Sequence, residues 1–335
     1  MCPKTLVRSN SATLWNKRTK AKPMTYCKAW IVIFAVLISG CVHVEPLNEA
    51  SQIIDVHRHG TWPESDDAPY RNKILAEMDE NGVGIAVISL TDYDDIENWK
   101  DVAPDRFIAG VMVPCPRNTA EPYYKCFPSS EGWVDIEWLR TQVENGKIET
   151  LFEIGPNYMG IPINDPKLDP YLALAAEFNL PIGVHTQRGP PPRAVNSTRG
   201  DPNCCPDYNA EMGNPDLLRP VLETYPGLRV WMQHIGAGRA GGYEPFWEET
   251  LGILADYPNV NVDLSITNGP LPIEIYDKAL RTLIDAGFGD RIMFGTDNLP
   301  TALVLGRLNS IDWLTPDQRA AILYKNAERF FGIKR

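Results

Sequence analysis

The 335-residue sequence predicts an α/β fold, a single (β/α)8 TIM barrel. From Gln52 onward, short apolar runs alternate with amphipathic segments that have the spacing of helices. The runs are almost continuously apolar, which is typical of parallel strands covered on both faces. Eight such units fit into about 280 residues, and a barrel of this kind needs ~250.

The eight predicted strands follow one another along the chain. They are IIDVH (residues 53–57), GIAVISL (84–90), RFIAGVMV (106–113), ETLFEIG (149–155), PIGVH (181–185), RVWMQHI (229–235), VNVDLSI (260–266) and RIMFGTD (291–297). Because each run is short, apolar and rich in β-branched residues, we interpret it as a buried strand.

Helix-like segments lie between these runs, clearest at residues 70–82, 134–146, 169–178, 214–225, 244–257 and 275–287. Several end in glycine or Tyr-Pro, which terminate helices. Asp169 followed by Pro170 predicts an N-cap and a first helical position. The alternative fold is an open doubly wound sheet, but no glycine-rich phosphate loop follows the first strand.

The longest irregular stretch, Gln187–Pro215, lies between the fifth strand and its helix. A loop of this length in a compact domain is either a functional element, such as a lid, or a surface insertion. Four cysteines after residue 41 are interpreted as disulfide staples of loops, with free thiols as the alternative. They are Cys115, Cys126, Cys204 and Cys205.

The first 40 residues have the composition of an export signal. They carry seven Lys or Arg and no Asp or Glu, and the apolar stretch Ala29–Ile38 is too short to span a bilayer. Ile38-Ser39-Gly40-Cys41 resembles the lipobox of bacterial lipoproteins, which predicts a lipid anchor on Cys41 in the outer or cell membrane. A plain secretory signal is the alternative. Translation from Met24 gives a more compact leader, followed by a tether at 41–51 and the barrel at 52–335.

Without its first 40 residues the chain keeps 25 basic and 43 acidic residues, a formal net charge of −18. So acidic a protein repels phosphate backbones, which argues against nucleic acid as a partner. The sequence leaves the oligomeric state open, with a homo-oligomer among the alternatives.

Imidazole and carboxylate side chains lie at the ends of several predicted strands. His57 and His59 are two residues apart at the end of the first strand, so both point to one side and Arg58 to the other. The others are Glu153 on the fourth strand, His185 on the fifth, His234 on the sixth and Asp297 on the eighth. Because the C-terminal strand ends of such a barrel surround one site, these side chains predict a transition-metal centre.

This pattern resembles the amidohydrolase superfamily, and its amidohydrolase-related branch most closely. The motifs are Asp55-Val-His57-Arg-His59, His185, His234 followed by Ile-Gly-Ala-Gly, NVNVDLS (259–265), FGTDNLP (294–300) and NAERFFGI (326–333). The resemblance runs from about Asp55 to Ile333. It implies that His57, His59, His185 and Asp297 bind a divalent metal, with Zn²⁺ expected, and that Asp297 also accepts a proton from the activated water.

The roles of His234 and Glu153 stay open within the resemblance. In the decarboxylase branch the sixth-strand histidine is an acid/base beside the metal, and imidazole exchanges protons readily near neutral pH. In some binuclear members a fourth-strand glutamate bridges two metals, and His185 and His234 then hold the second. Glu153 is thus either a bridging ligand or a carboxylate that orients a ligand histidine.

Substrate contacts are predicted at the mouth of the barrel. Trp62 lies in the loop after the first strand, and Arg188, Arg193 and Arg199 follow the fifth. Arginine binds carboxylate through two parallel hydrogen bonds, so an anionic group on a small-molecule substrate is expected unless these arginines are simply solvated. On the seventh strand, Asp263 and Ser265 either face the site or pack in the core.

Three functions fit the sequence. The first is a metal-dependent hydrolase of a small amide, lactone or ester, which export favours because decarboxylases of the resembling branch act on intracellular catabolites. The second is a metal-dependent decarboxylase or hydratase of a small unsaturated or aromatic acid, with the same ligands. The third, a tethered barrel that binds metal or ligand without catalysis, is disfavoured because the whole set of catalytic residue types is present.

Overall fold

The computed structural model describes residues 52–60, 68–115, 132–188, 207–236 and 245–334. Eight parallel strands form one sheet, in which each strand pairs with the next along the chain. They are β1 (Ile53–His59), β2 (Val83–Leu90), β3 (Phe107–Val111), β4 (Thr150–Ile154), β5 (Ile182–His185), β6 (Val230–Gln233), β7 (Val260–Asp263) and β8 (Ile292–Met293). The predicted (β/α)8 barrel is confirmed, and each strand overlaps one of the predicted apolar runs.

Backbone hydrogen bonds between the first and last strand regions close the barrel. Val56 N donates to Phe294 O at 2.9 Å, and Asp297 N donates to His57 O at 2.8 Å. Closure therefore places Asp297, which follows β8, directly beside the end of β1.

Helices cover the outside of the sheet, as the burial of a parallel sheet on both faces requires. They are α1 (Ala68–Glu80), α2 (Tyr93–Val102), α3 (Ile136–Glu144), α4 (Asp169–Glu177), α5 (Arg219–Thr224), α6 (Trp247–Asp256), α7 (Ile273–Asp285), α8 (Thr301–Asn309), α9 (Pro316–Ala320) and α10 (Asn326–Phe331). A π-helical turn, Ala321–Lys325, joins the last two.

The predicted N-cap of α4 is wrong. Leu168 already has helical backbone angles, so Asp169 is the first helical residue and its side chain makes no capping hydrogen bond. Its carboxylate instead accepts a hydrogen bond from the Tyr225 hydroxyl at 2.8 Å. The acidic side chain thus connects α4 to the end of α5.

The buried apolar side chains form two cores. The larger core packs between the strands and the helices. The smaller core plugs the barrel interior and includes Phe152, Trp231 and Met293. Gly183 allows the indole of Trp231 to approach, because a Cβ there would lie 2.4 Å from the ring. The ring of Phe152 lies 5.0 Å from that of His57, so this plug forms the floor beneath the polar strand ends.

Arg58 points away from the barrel interior, as predicted. It is buried, and its Nε donates to Asp55 Oδ2 at 2.7 Å. Its Nη2 donates to the Thr301 hydroxyl and lies 3.4 Å from Glu77 Oε1. Asp55 also accepts from the Thr296 amide and hydroxyl. These contacts connect β1 to α1, α8 and the segment after β8, and so fix the strand that carries two of the predicted ligands.

The predicted export signal, the Met24 start, the lipid-anchor residue Cys41 and the tether lie outside the described residues. So do Cys126, Cys204 and Cys205. Cys115 is buried and disulfide-bonded, in agreement with the predicted use of these cysteines. Among the helices that the structure describes, none is both long and apolar enough to cross a membrane.

Candidate metal centre

Six predicted side chains converge at the C-terminal end of the barrel, above the apolar plug. His57 and His59 come from β1, Glu153 from β4 and His185 from β5, while His234 and Asp297 directly follow β6 and the β8 region. His234 and Asp297 have left-handed backbone angles, with φ of 61° and 50°. This conformation costs non-glycine residues about 1–2 kcal/mol, and it turns the chain out of the strand at the two positions where a functional group is needed.

The first group of donor atoms surrounds Asp297 and one oxygen of Glu153. Asp297 Oδ1 lies 3.0 Å from His59 Nε2 and 3.7 Å from His57 Nε2. Glu153 Oε2 lies 3.4 Å from His59 Nε2. His57, His59 and Glu153 thus offer three ligand atoms within 4.8 Å of one another.

The second group surrounds the other oxygen of the same carboxylate. Glu153 Oε1 lies 3.7 Å from His185 Nε2 and 3.6 Å from His234 Nε2. These three residues also form a cluster with metal-ligand spacing. The backbone N–H of Glu153 donates to Ser89 Oγ at 3.2 Å, which connects β4 to β2 beneath the carboxylate. Glu153 therefore lies between two sets of imidazoles, with one oxygen facing each.

The donor atoms have the spacing of metal ligands. Two atoms bound to one tetrahedral ion at about 2.1 Å are about 3.4 Å apart, and four of the five contacts above are too long for good hydrogen bonds. His57 Nε2 and Glu153 Oε1 are buried and have no hydrogen-bond partner among the described residues. A buried polar atom without a partner is costly unless something else binds it. This set of nitrogen and oxygen donors fits a divalent metal.

Electrostatics favour a cation in the same place. Burial opposes ionisation of Glu153, but His185 and the other imidazoles hold its pKa at about 2. Burial also opposes ionisation of Asp297, and His57 holds the pKa of that carboxyl far below its usual range. Burial disfavours protonation of His57, but Asp263 and Asp297 raise its pKa to about 9. Burial lowers the pKa of His185 to about 3, so this ring is neutral and able to bind a metal.

Two residues of the β7 region lie behind the imidazoles of His57 and His234. His57 Nδ1 is 2.9 Å from Asp263 Oδ2, and His234 Nδ1 is 2.9 Å from Ser265 Oγ. The question left open by the sequence is therefore answered, since both residues contact the site. The sequence contains an indication of this position, because the polar residues Asn261, Asp263 and Ser265 alternate with apolar ones at the end of a buried strand.

Asn157 has the same relation to His185, and no pattern in the sequence indicated it. It lies in a 3₁₀ turn, Pro156–Met159, that directly follows β4, and its amide nitrogen is 3.1 Å from His185 Nδ1. A half-turn of the amide presents Oδ1 instead, and this oxygen has no hydrogen-bond partner among the described residues. Asn157 can then accept from Nδ1–H and leave Nε2 free to bind a metal.

Gly295 allows β8 to approach β1 closely at the level of the site. A Cβ at this position would lie 2.9 Å from the Cβ of His57 and 3.3 Å from that of Ser265. Any larger residue would therefore displace the histidine.

The family model described as Amidohydrolase matches residues 54–333. The chain belongs to the amidohydrolase family. The match covers the whole barrel and agrees with the resemblance seen in the strand-end motifs. No curated protein matches the chain significantly.

Several solved structures share the fold. One is a probable 2-pyrone-4,6-dicarboxylic acid hydrolase from Acinetobacter baumannii with citric acid bound; it is 17% identical, with a TM-score of 0.58, over 84% of this chain and 100% of that one. Another is a 2,6-dihydroxybenzoate decarboxylase from Rhizobium, 16% identical with a TM-score of 0.54, over 84% and 99% of the two chains. A third is a 5-carboxyvanillate decarboxylase from Novosphingobium aromaticivorans complexed with manganese and a nitrobenzoic acid, 14% identical with a TM-score of 0.54, over 85% and 97%. The structural likeness therefore includes both hydrolases and decarboxylases.

The structure describes only one of the predicted substrate-contact residues, Arg188. Arg188 follows β5; its Nη2 donates to Glu211 Oε2 at 2.9 Å, and its guanidinium stacks over the Phe246 ring at 4.1 Å. A substrate contact by Arg188 stays a prediction. Trp62, Arg193 and Arg199 lie outside the described residues.

Proposed function

We propose that the chain is a metal-dependent hydrolase of a small amide, lactone or ester. One observation carries the proposal: the two oxygens of Glu153 face different sets of imidazoles. A carboxylate in this position suits a bridge between two metal ions, and two-metal sites activate water for attack on carbonyl or phosphoryl groups. Zn²⁺ is the proposed ion, because imidazole and carboxylate are its usual partners.

The proposed ligands divide into two sets around the shared carboxylate. His57, His59 and Asp297 form one set and His185 and His234 the other, with Glu153 common to both. A divalent metal held by these residues would lower the pKa of water towards ~7 and polarise the substrate carbonyl.

Asp297 is the proposed proton acceptor. Its side chain is 18% exposed, whereas those of Glu153 and Asp263 are 3% and 0% exposed, so it is the most accessible of the three carboxylates. Its lowered pKa keeps it ionised at neutral pH, and a bound metal would acidify the attacking water enough for this weakly basic carboxylate to accept the proton. The same carboxyl then gives this proton to the leaving nitrogen or oxygen.

A panel of lactones, esters, amides and aromatic acids tests the proposal, with carbon dioxide release measured in parallel. We expect hydrolysis that stops on chelation and returns with added Zn²⁺ or Mn²⁺. We expect Asp297→Asn to lower turnover by about 10²–10⁴-fold, the usual contribution of general acid–base catalysis. Turnover that survives complete metal removal would contradict the proposal.

Decarboxylation of a small aromatic or unsaturated acid is the second candidate, and His234 is the residue that favours it. Ser265 holds this ring with Nε2 directed into the site, where it can deliver a proton to carbon instead of binding metal. His57, His59, His185 and Asp297 would then hold one ion. If the protein is a decarboxylase, His234→Asn should keep one metal equivalent and no longer release carbon dioxide. If it is a hydrolase with two metals, the same variant should also lose metal.

We further propose that the protein is exported and lipid-anchored through Cys41. Mass spectrometry of the mature N-terminus should find an acylated Cys41, and Cys41→Ser should abolish the modification and release the protein from membranes. An unmodified N-terminus at or near residue 41 would indicate a plain secretory signal instead.

A further inference from the structure

The seventh strand supplies a polar pair that no proposed ligand role includes. Asp263 and Ser265 are both completely buried. They lie on the side of the His57 and His234 rings opposite to Glu153, because their contacts are to Nδ1 while Glu153 and Asp297 face Nε2. Their role must therefore be exerted through the two imidazoles.

The hydrogen bonds of this pair determine which ring nitrogen carries the proton. Asp263 Oδ2 can only accept, so its 2.9 Å contact makes His57 Nδ1 the donor. Ser265 Oγ donates to Asp263 Oδ1 at 2.6 Å, which leaves its lone pairs for His234 Nδ1 and His57 Nδ1, each 2.9 Å away. The Ser265 carbonyl oxygen, 3.3 Å from the same Nδ1, can likewise only accept.

We propose that Asp263 and Ser265 are positioning residues that hold His57 and His234 in the Nδ1–H tautomer, so that both rings present Nε2 to a metal. This inference rests on the proposed metal-dependent function. Residues that orient ligand histidines in this way change metal affinity or activity by about 10–100-fold when they are replaced.

Asp263→Asn is a sharp test because the surroundings decide which way the new amide points. Oδ1 of Asp263 accepts three hydrogen bonds, from the His234 amide, the Ser265 amide and the Ser265 hydroxyl. The amide oxygen of the variant must stay there, which places its NH₂ group against His57 Nδ1. This group opposes a proton on His57 Nδ1, where Ser265 Oγ, also 2.9 Å away, is the one remaining acceptor among its contacts with the described residues. We therefore expect the proton to move to Nε2, which cannot bind a metal in that form.

The experiment combines ¹⁵N-histidine NMR with zinc affinity from chelator competition. In metal-free protein at alkaline pH, we expect His57 to be the Nδ1–H tautomer in the wild type and the Nε2–H tautomer in Asp263→Asn. The zinc affinity of Asp263→Asn should fall about 10–100-fold. Ser265→Ala should keep the His57 tautomer, because Asp263 remains, and should lose less affinity. Asp256→Asn makes the same charge change at the surface end of α6 and should behave as wild type.

Two results would overturn the inference: an Nε2–H tautomer for His57 in the wild type, or unchanged zinc affinity in folded Asp263→Asn. If Asp263→Asn does not fold, the tautomer of His57 in the wild-type spectrum still tests the inference. Because the tautomer is read without metal or substrate, failure of the proposed hydrolase activity leaves this readout intact. Conversely, a working hydrolase with an Nε2–H His57 would refute this inference alone.

Discussion

Replacing the proposed ligands one at a time should separate two metal positions on either side of Glu153. Glu153 Oε2 faces His59 Nε2 at 3.4 Å, and Oε1 faces His185 Nε2 at 3.7 Å. We therefore expect His59→Asn to weaken one metal position, His185→Asn the other and Glu153→Gln both.

The expected size follows from the number of protein ligands. Four-ligand zinc sites bind with roughly 10–16 kcal/mol, so one ligand supplies roughly 3 kcal/mol, or about 10²-fold in Kd. Each histidine variant should lose about that factor at its own position and less than about tenfold at the other. Glu153→Gln keeps the shape but not the charge of the shared carboxylate, and should lose about 10²-fold at both.

Zinc titration against a chromophoric chelator measures the affinity of both metal positions, and the metal content after dialysis counts the ions that remain bound. Asp256→Asn is the matched control, since it removes a surface charge and should retain both metals. Two separate metal positions are ruled out if His59→Asn and His185→Asn weaken the same single equivalent, and a shared carboxylate is ruled out if Glu153→Gln binds two equivalents as tightly as the wild type.

Three further changes have expected outcomes. Because the pKa of His57 is raised to about 9, metal binding below that pH must displace its proton; calorimetry in buffers of different ionisation enthalpy should find about one proton released at neutral pH, and zinc affinity should rise as pH increases towards 9. Gly295→Ala should weaken zinc binding and lower the free energy of unfolding by about 1–3 kcal/mol, because its Cβ would overlap that of His57. Partial burial raises the pKa of Glu77, but Arg58 and Thr301 outweigh this effect and the pKa is lowered. The ionised carboxylate therefore stabilises the folded state above the pKa of the unfolded chain, and this stabilisation is lost as the pH falls. Urea unfolding should therefore find Glu77→Gln less stable than wild type by about 1–2 kcal/mol at pH 7, with the difference shrinking in acid.

The fold and the residues of the candidate site could be predicted because both depend on short-range patterns in the sequence. Apolar runs alternating with helices favour a covered parallel sheet, and eight of them in this length favour a barrel over an open doubly wound sheet. Once the barrel is assumed, its topology brings His57, His185 and Asp297 to the same end without further information. The family model over residues 54–333 supports the same reading.

The choice between the two groupings of the site residues could not be made from the sequence, because it depends on side-chain directions across the barrel. The resemblance left two groupings open: His185 with His57 and His59 around one metal, or His185 with His234 around a second. In the structure, His185 and His234 both face Glu153 Oε1. Asn157 was missed because its position follows from how the turn after β4 packs on β5. The N-cap predicted at Asp169 failed for a similar reason, since a tertiary contact to Tyr225 uses that carboxylate.

Anomalous X-ray diffraction at the zinc edge, on crystals of the zinc-loaded protein, tests whether Glu153 bridges two metal ions. We expect two peaks about 3.5–4 Å apart, one on each side of Glu153, with His59 at one and His185 and His234 at the other. A single peak bound by His57, His59, His185 and Asp297, with His234 uncoordinated, would contradict the bridging role of Glu153 and favour the decarboxylase.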